Sequence, residues 1–369
     1  MCTSLIYTAS DGTPYLGRTL ELDVEEPWAV AYVPAGTEFE STVDGQDPVA
    51  YTTKHRFLTI VPAGPHPEEG AIDPIRLKSA TEGLNDAGLT LSMLMFPDSG
   101  GGEAARTVRA ELQAVDLGTW ILGEFATVAE VKQALEHQPV LLTRMPGLGN
   151  LEFPLHIAVH DRSGAAIVVE WYRDELTVYD NPVGVMTNGP QFSWHLTNLG
   201  NWTHLTNVDV ASATFGSLKV SQPDSGIATA ALPSSNTSVG RFIRAVYYSR
   251  FAEKVADPTR ALIMLARLMN NFDRPRDITI DPPDAAGEGL TVQGTGRVEG
   301  VPSTEYTSWT NLSDINGGRF LVRGFTAFNY TEFDLDRLAD VDGIRLLPIA
   351  ALDPMGGDGN DALRAADTL

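Results

Sequence analysis

Cys2 is the one cysteine in a chain of 369 residues, and it directly follows Met1. Removal of Met1 would leave a residue carrying both a thiol and a free α-amine. The thiolate is the reactive form of sulfur, and an α-amine titrates near ~8, so at neutral pH the amine can take the thiol proton. One residue then supplies nucleophile and base, the logic of a threonine activated by its own N-terminal amine. A second-position cysteine can equally be a chance residue, so its neighbours decide the matter. Arg18 is the first of them, because a guanidinium beside sulfur favours the thiolate. Glu21 or Asp23 is the second, because a carboxylate orients an ammonium or amine.

Two alternating sets rich in β-formers, Thr3-Leu5-Tyr7 and Ser4-Ile6-Thr8, predict a strand that begins at Cys2. Asp11-Gly12-Thr13-Pro14 is a turn signal, and residues 15–22 read as the returning strand. Such a hairpin brings Arg18 and Glu21, or Asp23, back toward Cys2. Further strands are expected at 29–33 and 57–61, followed by a breaker-rich connection at 62–67. A second hairpin is expected over 79–96 with its turn at 85–88. Asp98 and the glycines at 100–102 form a loop, since the lysine and helix start of a phosphate cradle are missing.

Apolar spacing over 104–126 predicts a helix, and Thr127-Val128-Ala129-Glu130 is a capping box opening a second one that ends near His137. Strands return at 155–160, 165–172, 176–179 and 184–187. A short helix is expected at 194–202. Residues 203–233 are polar and lack strong periodicity; a stretch of that length inside a compact protein is usually functional or an interaction arm. Helices at 238–251 and 258–272 follow, then a hairpin of 305–311 with 319–325, and a last apolar segment at 343–349. Residues from 355 onward read as a frayed tail, 355–369. No internal repeat or linker divides the chain, so the expectation is one large α+β domain over 1–354, antiparallel sheets covered by helices.

Composition sets bounds on function. The net charge of −22 disfavours nucleic acid and anionic membrane surfaces as partners. One cysteine excludes an intrachain disulfide and a cysteine zinc cluster. No apolar run approaches the ~18 residues that cross a bilayer, and Asp11 interrupts any early apolar core of a signal peptide. A cytoplasmic protein is the expectation; a periplasmic one follows if the natural precursor carries a signal removed before Cys2. His156 and His160 share one strand face, but no third ligand accompanies them, so they read as core or surface histidines and no metal or other cofactor is expected.

The chain also carries a resemblance. Met1-Cys2-Thr3-Ser4-Leu5, with Gly17-Arg18-Thr19-Leu20-Glu21, resembles the N-terminus of the choloylglycine hydrolase and penicillin V acylase family of N-terminal-nucleophile (Ntn) hydrolases. In the same order come Glu82-Gly83-Leu84-Asn85-Asp86-Ala87-Gly88-Leu89 and Gly184-Val185-Met186-Thr187-Asn188-Gly189-Pro190-Gln191-Phe192-Ser193-Trp194-His195. Gly240-Arg241-Phe242-Ile243-Arg244 and Tyr306-Thr307-Ser308-Trp309 complete the set. The resemblance implies a four-layer αββα sandwich in which Cys2 attacks a linear amide. It also implies that Arg18 is the active-site arginine, Asn188 the oxyanion asparagine and Arg241 a second arginine. Read alone, Asn188 is a turn residue before Gly189-Pro190; an amide donor aimed at an oxyanion is worth ~3–4 kcal/mol in comparable sites.

Two departures from the family pattern bear on substrate. Glu21 stands where its best-known members have aspartate, so Glu21 serves or Asp23 shares the role. Met95 stands where bile-salt members usually have asparagine and penicillin V acylases tyrosine, which removes a second side-chain oxyanion donor. The leading expectation is a hydrolase of non-peptide amides, of the penicillin V or N-acyl homoserine lactone acylase kind, with the acyl group against Leu20, Leu22 and Met95. A conjugated bile salt hydrolase is the alternative. Less favoured readings are a glutamine-dependent amidotransferase, which would start Cys-Gly-Ile, and a non-catalytic binder of small amphipaths. The partner is a small N-acyl amide, and by resemblance the 203–233 arm implies a homotetramer.

Overall fold

The computed structural model describes residues 1–23, 27–63, 79–99, 111–142, 144–145, 151–173, 175–282 and 302–366. Its centre is the hairpin of β1 (Cys2–Thr8) and β2 (Pro14–Leu22), paired so that Cys2 lies opposite Leu20 and Ser4 opposite Arg18. Directly opposed residues share a sheet face. Cys2, Ser4, Arg18 and Leu20 therefore lie on one face, and Thr3, Leu5, Tyr7 and Glu21 on the other.

This hairpin lies inside a seven-stranded sheet. Val185–Met186 flanks β1, and Tyr306–Asp314, Arg319–Gly324, Thr331–Asp334 and Gly357–Asp358 follow β2 in that order. The second sheet has eight strands, in the order Glu175–Asp180, Ala166–Tyr172, Leu155–Asp161, Leu89–Met95, Glu82–Asn85, Phe57–Pro62, Trp28–Val33 and Arg345–Pro348. Within these two sheets every described pairing is antiparallel except the short one between Thr331–Asp334 and Gly357–Asp358.

Each sheet is clothed by helices on its outer side. α1 (Leu117–Glu124) and α2 (Val128–Leu135) pack on the second sheet; the apolar contacts there involve Leu122, Val131, Ile157 and Val169. α3 (Phe192–Asn198) follows the strand Val185–Met186. α4 (Ser238–Phe251) and α5 (Pro258–Met269) cover β1 and β2. Gly17 lets α5 approach: a Cβ there would lie 2.7 Å from Met269 and 2.8 Å from Leu265. The inner faces of the two sheets meet at Ser4 and Ser92, whose hydroxyls are 3.5 Å apart. The result is the four-layer αββα sandwich.

Several local expectations hold closely. The Thr127 capping box is present, with Glu130 N–H donating to Thr127 Oγ1 and Thr127 N–H to Glu130. α4 has the expected bounds, and Tyr306–Asp314 pairs with Arg319–Gly324.

Three expectations are corrected. The helix expected over 104–126 is only α1, since Leu112–Gln113 is a strand paired with Val140–Leu141 and 104–110 lie outside the described residues. The apolar positions before 117 belong to that strand and a 3₁₀ turn. The stretch 203–233 contains a hairpin, Ser212–Phe215 with Leu218–Ser221, exposed on both faces. With neither face buried, its sequence carries no period. The tail expected to fray from 355 forms Gly357–Asp358 and α6 (Asn360–Ala365), anchored by fully buried Leu363. One buried leucine in a polar tail gave too weak a pattern to read. The connection at 62–67 and the glycines at 100–102 fall largely or wholly outside the described residues.

Candidate active site

β1 and β2 bring Cys2 and Arg18 together across the register step between neighbouring pairs. Arg18 Nη2 donates to Cys2 Sγ at 3.3 Å, and both residues are buried. The guanidinium also spans the gap between sheets. Its Nη1 donates to Thr81 O at 2.6 Å and meets Glu82 Oε2 at 3.2 Å, and its Nη2 also donates to Met93 O. The Trp309 ring lies 5.1 Å from the guanidinium carbon. Burial pushes the Glu82 carboxyl up to about 7 while Arg18 pulls it back. Arg18 is desolvated too, but Cys2 and Glu82 hold its pKa above the ordinary value, so it is a fixed cation at the sulfur.

Asn188 and Arg241 close on the backbone of Cys2 from the other side. Cys2 N–H donates to Asn188 Oδ1 at 3.0 Å, and Arg241 Nη2 donates to the same oxygen at 2.6 Å. Two donors on Oδ1 settle the orientation of the amide. Its Nδ2 then faces Met95 O at 2.7 Å, which uses one of two hydrogens. Arg241 Nη1 donates to Cys2 O and, at 2.8 Å, to Thr3 Oγ1. Asn188 N–H is held in turn by Ser238 Oγ at 2.9 Å, at the start of α4.

Glu21 is buried on the helix side of the sheet. Thr307 Oγ1 donates to its Oε1 at 3.1 Å, while Oε2 has no hydrogen-bond partner among the described residues. Burial raises the Glu21 carboxyl, and Arg241 and the terminal ammonium pull it back. Met1 continues the strand: its carbonyl accepts from Glu21 N–H at 2.7 Å, and its ammonium reaches Glu21 O and, at 3.4 Å, Glu305 Oε1. Arg274 pairs with the other Glu305 oxygen at 2.9 Å.

The structure thus gathers Cys2, Arg18, Asn188 and Arg241 by direct contact, with Glu21 beside Met1 in the strand register. Asp23 lies past the end of β2 and is half-buried. Leu20 stands opposite Cys2 and is buried, Met95 is buried and contributes its carbonyl to Asn188, and Leu22 is half-buried at the end of β2. The sequence reading did not single out Glu82, Thr307, Ser238 or Glu305. Glu82 and Thr307 lie inside family-like stretches, but only the fold shows what they touch. His156 and His160 are both buried core residues, and no group of three or more metal-ligating side chains occurs among the described residues. No helix among them is long and apolar enough to cross a membrane.

Residues 2–286 match the linear amide C–N hydrolases of the choloylglycine hydrolase family. The chain belongs to that family. It is therefore an amidohydrolase of the N-terminal-nucleophile type, whose nucleophile is an N-terminal cysteine and whose substrates are linear amides. Among relatives, it is 27% identical over 285 residues to a bile salt hydrolase/transferase of Clostridium perfringens, covering 76% of this chain and 81% of that one. It is 30% identical to a bile salt hydrolase/transferase of Lactiplantibacillus plantarum, over 66% of this chain and 69% of that one. In fold, it superposes on a mutant conjugated bile acid hydrolase from Clostridium perfringens with TM-score 0.76 at 22% identity, covering 96% and 98% of the two chains. Penicillin V acylase from Agrobacterium tumefaciens gives TM-score 0.73 at 18% identity, over 100% and 98%.

Proposed function

We propose that this amidohydrolase cleaves conjugated bile acids or close analogues, in which a bulky apolar acid is joined to a small amine. The reaction rests on one observation, the convergence of Arg18 on Cys2 Sγ and of Asn188 on Cys2 N. The choice of acid rests on the relatives at 27% and 30% identity, both bile salt hydrolases. They favour the alternative over the acylase preference that Met95 suggested. A penicillin V acylase is similar in fold, at 18% identity.

The steps follow from the placement of these groups. With Met1 gone, the Cys2 thiol proton passes to the α-amine, and Arg18 stabilises the thiolate. Sγ attacks the amide carbon, and the second hydrogen of Asn188 Nδ2 donates to the developing oxyanion. Arg241 positions both Cys2 O and Asn188 Oδ1. The C–N bond breaks as the α-ammonium returns its proton to the leaving amine. Water then attacks the thioester, releasing the acid and the free thiol. Glu21, whose Oε2 has no partner among the described residues, steadies the ammonium. Leu20, Leu22 and Met95 are proposed as apolar walls for the acyl group.

Amine release from glycocholate, penicillin V and an N-acyl homoserine lactone tests the reading. The expected result is the highest kcat/KM for glycocholate. A higher value for either of the other two would replace the bile acid reading with the acylase one.

The single Ntn-hydrolase domain expected over 1–354 is taken to run on through Gly357–Asp358 and α6, with the 203–233 arm as an assembly element. Val208, Val210, Phe215 and Leu218 on that arm are each more than 60% exposed. Apolar side chains clustered this way mark an interaction surface. We assign it to contacts between copies in a tetramer. Light scattering is expected to report a tetramer that dissociates when Phe215 and Leu218 are replaced by serine; a monomer in the wild type would overturn the assignment.

A further inference from the structure

Asn188 is gripped through its backbone by two buried histidines that the reaction itself does not use. His195, on α3, sends Nε2 to Asn188 O at 2.9 Å. His156, on the strand Leu155–Asp161, sends Nε2 to Thr187 O at 3.1 Å. Both rings are fully buried. His195 stacks on Phe242 with ring centroids 4.5 Å apart, and His156 stacks on Phe96 at 5.0 Å. A carbonyl only accepts, so each Nε2 carries a proton.

The two rings differ at their other nitrogen. His195 Nδ1 has no partner among the described residues, and burial lowers the ring's pKa, so His195 is a neutral donor. His156 Nδ1 instead meets Glu170 Oε1 at 3.0 Å. Both Glu170 oxygens also accept from Phe192 N–H, at 3.1 Å each. Phe192 is the first residue of α3, the helix that carries His195. Glu170 is therefore the common tie: it fixes His156 through one bond and the start of α3, hence His195, through another.

A surface histidine bonded to a loop would be unremarkable, but here two buried histidines, tied together by buried Glu170, hold with Ser238 every backbone polar group from Thr187 O to Asn188 O. We propose that His195 and the His156–Glu170 pair are positioning residues for the hydrolysis, fixing the backbone on both sides of Asn188 so that its amide meets Cys2 N and the oxyanion. This rests on the proposed role of Asn188 as oxyanion donor. A misplacement of about 1 Å at such a donor costs about 100-fold in rate. A loss of that size would appear in kcat, because the amide acts on the transition state and not on the bound substrate.

The test compares His195→Leu, which removes the donor, with His195→Gln, which retains one, using the amide that the full-length protein cleaves fastest. His195→Leu is expected to lower kcat about 10- to 100-fold with KM changed less than about threefold. His195→Gln is expected to recover most of that loss. The alkylation rate of Cys2 by iodoacetamide, a reaction with no oxyanion, should fall far less than kcat. In an Asn188→Ala background the His195→Leu change should cost nothing further, since the two act as one unit. Equal losses in both backgrounds, or a parallel fall in alkylation, would overturn the proposal. If Asn188→Ala itself leaves kcat intact while Cys2→Ala abolishes it, the oxyanion reading fails instead. A crystal structure of His195→Leu serves without any substrate: Asn188 Oδ1 should leave hydrogen-bond distance of Cys2 N, and an unmoved amide would overturn the proposal.

Discussion

Cys2→Ala is expected to abolish amide hydrolysis, with kcat/KM falling by about 10⁴-fold or more. Removing the nucleophile of a covalent mechanism forfeits the acyl-enzyme route altogether, and comparable deletions cost about 10⁶-fold in kcat. The fold should survive, because the change deletes one sulfur from a strand that keeps its full hydrogen-bond register with β2. Circular dichroism and the thermal midpoint then separate chemistry from folding. A companion result concerns Met1. While Met1 is attached, Cys2 N is an amide with no proton-accepting lone pair, and it donates to Asn188 Oδ1. Protein retaining Met1, identified by intact mass, is expected to be inactive although its thiol is present. Residual turnover in Cys2→Ala would sink the nucleophile assignment, and full activity with Met1 retained would sink the role of the α-amine.

The nucleophile and its arginine were legible in the sequence because they rest on local pairing. Alternation fixed the two strands, Asp11-Gly12-Thr13-Pro14 fixed the turn, and the pairing of Ser4 with Arg18 follows from these. The same reasoning located the capping box at Thr127 and the full length of α4, since each is decided within one element. Asn188 and Arg241 were different. They approach Cys2 from 186 and 239 residues away, and no spacing in the chain encodes that distance. Only the resemblance brought them forward. Glu82 shows the limit most plainly: it lay within a motif already noticed, yet its ion pair with Arg18 exists because two sheets stack face to face. His156, expected as a core or surface histidine, lies in the core, and that expectation is silent about its bond to Thr187.

The charges at the nucleophile show why these hidden partners matter. Arg18, Arg241, Glu21 and Glu82 are all fully buried. A buried charge without a partner is costly, and pairing with good geometry offsets the desolvation. Arg18 is therefore both the cation at Sγ and the counter-ion of Glu82, so any substitution there changes catalysis and stability together. The two effects separate only when Glu82 is changed as well.

Arg18→Leu is accordingly expected to destabilise the protein by about 3–5 kcal/mol, the usual cost of breaking a buried pair by removing one member. The loss should depend on pH in a defined direction. Glu82 already has its carboxyl pushed up to about 7 by burial with Arg18 in place, against an ordinary value of 4.5. Without Arg18 the main opposing influence is gone, and the carboxyl moves higher. A group whose folded pKa is raised contributes stability that is complete below its unfolded value and lost as pH rises through the folded one. The Arg18→Leu penalty should therefore be smallest near pH 5 and largest at pH 8 or above, read from urea midpoints at the two ends. Adding Glu82→Gln should recover most of the stability at high pH, because the buried group can no longer ionise. Activity should stay low in the double variant. Without the guanidinium, the thiolate loses the cation that donates to Sγ. A penalty flat across pH would refute the assignment of Glu82 as the buried charge, and an active double variant would show that Arg18 serves the fold and not the sulfur.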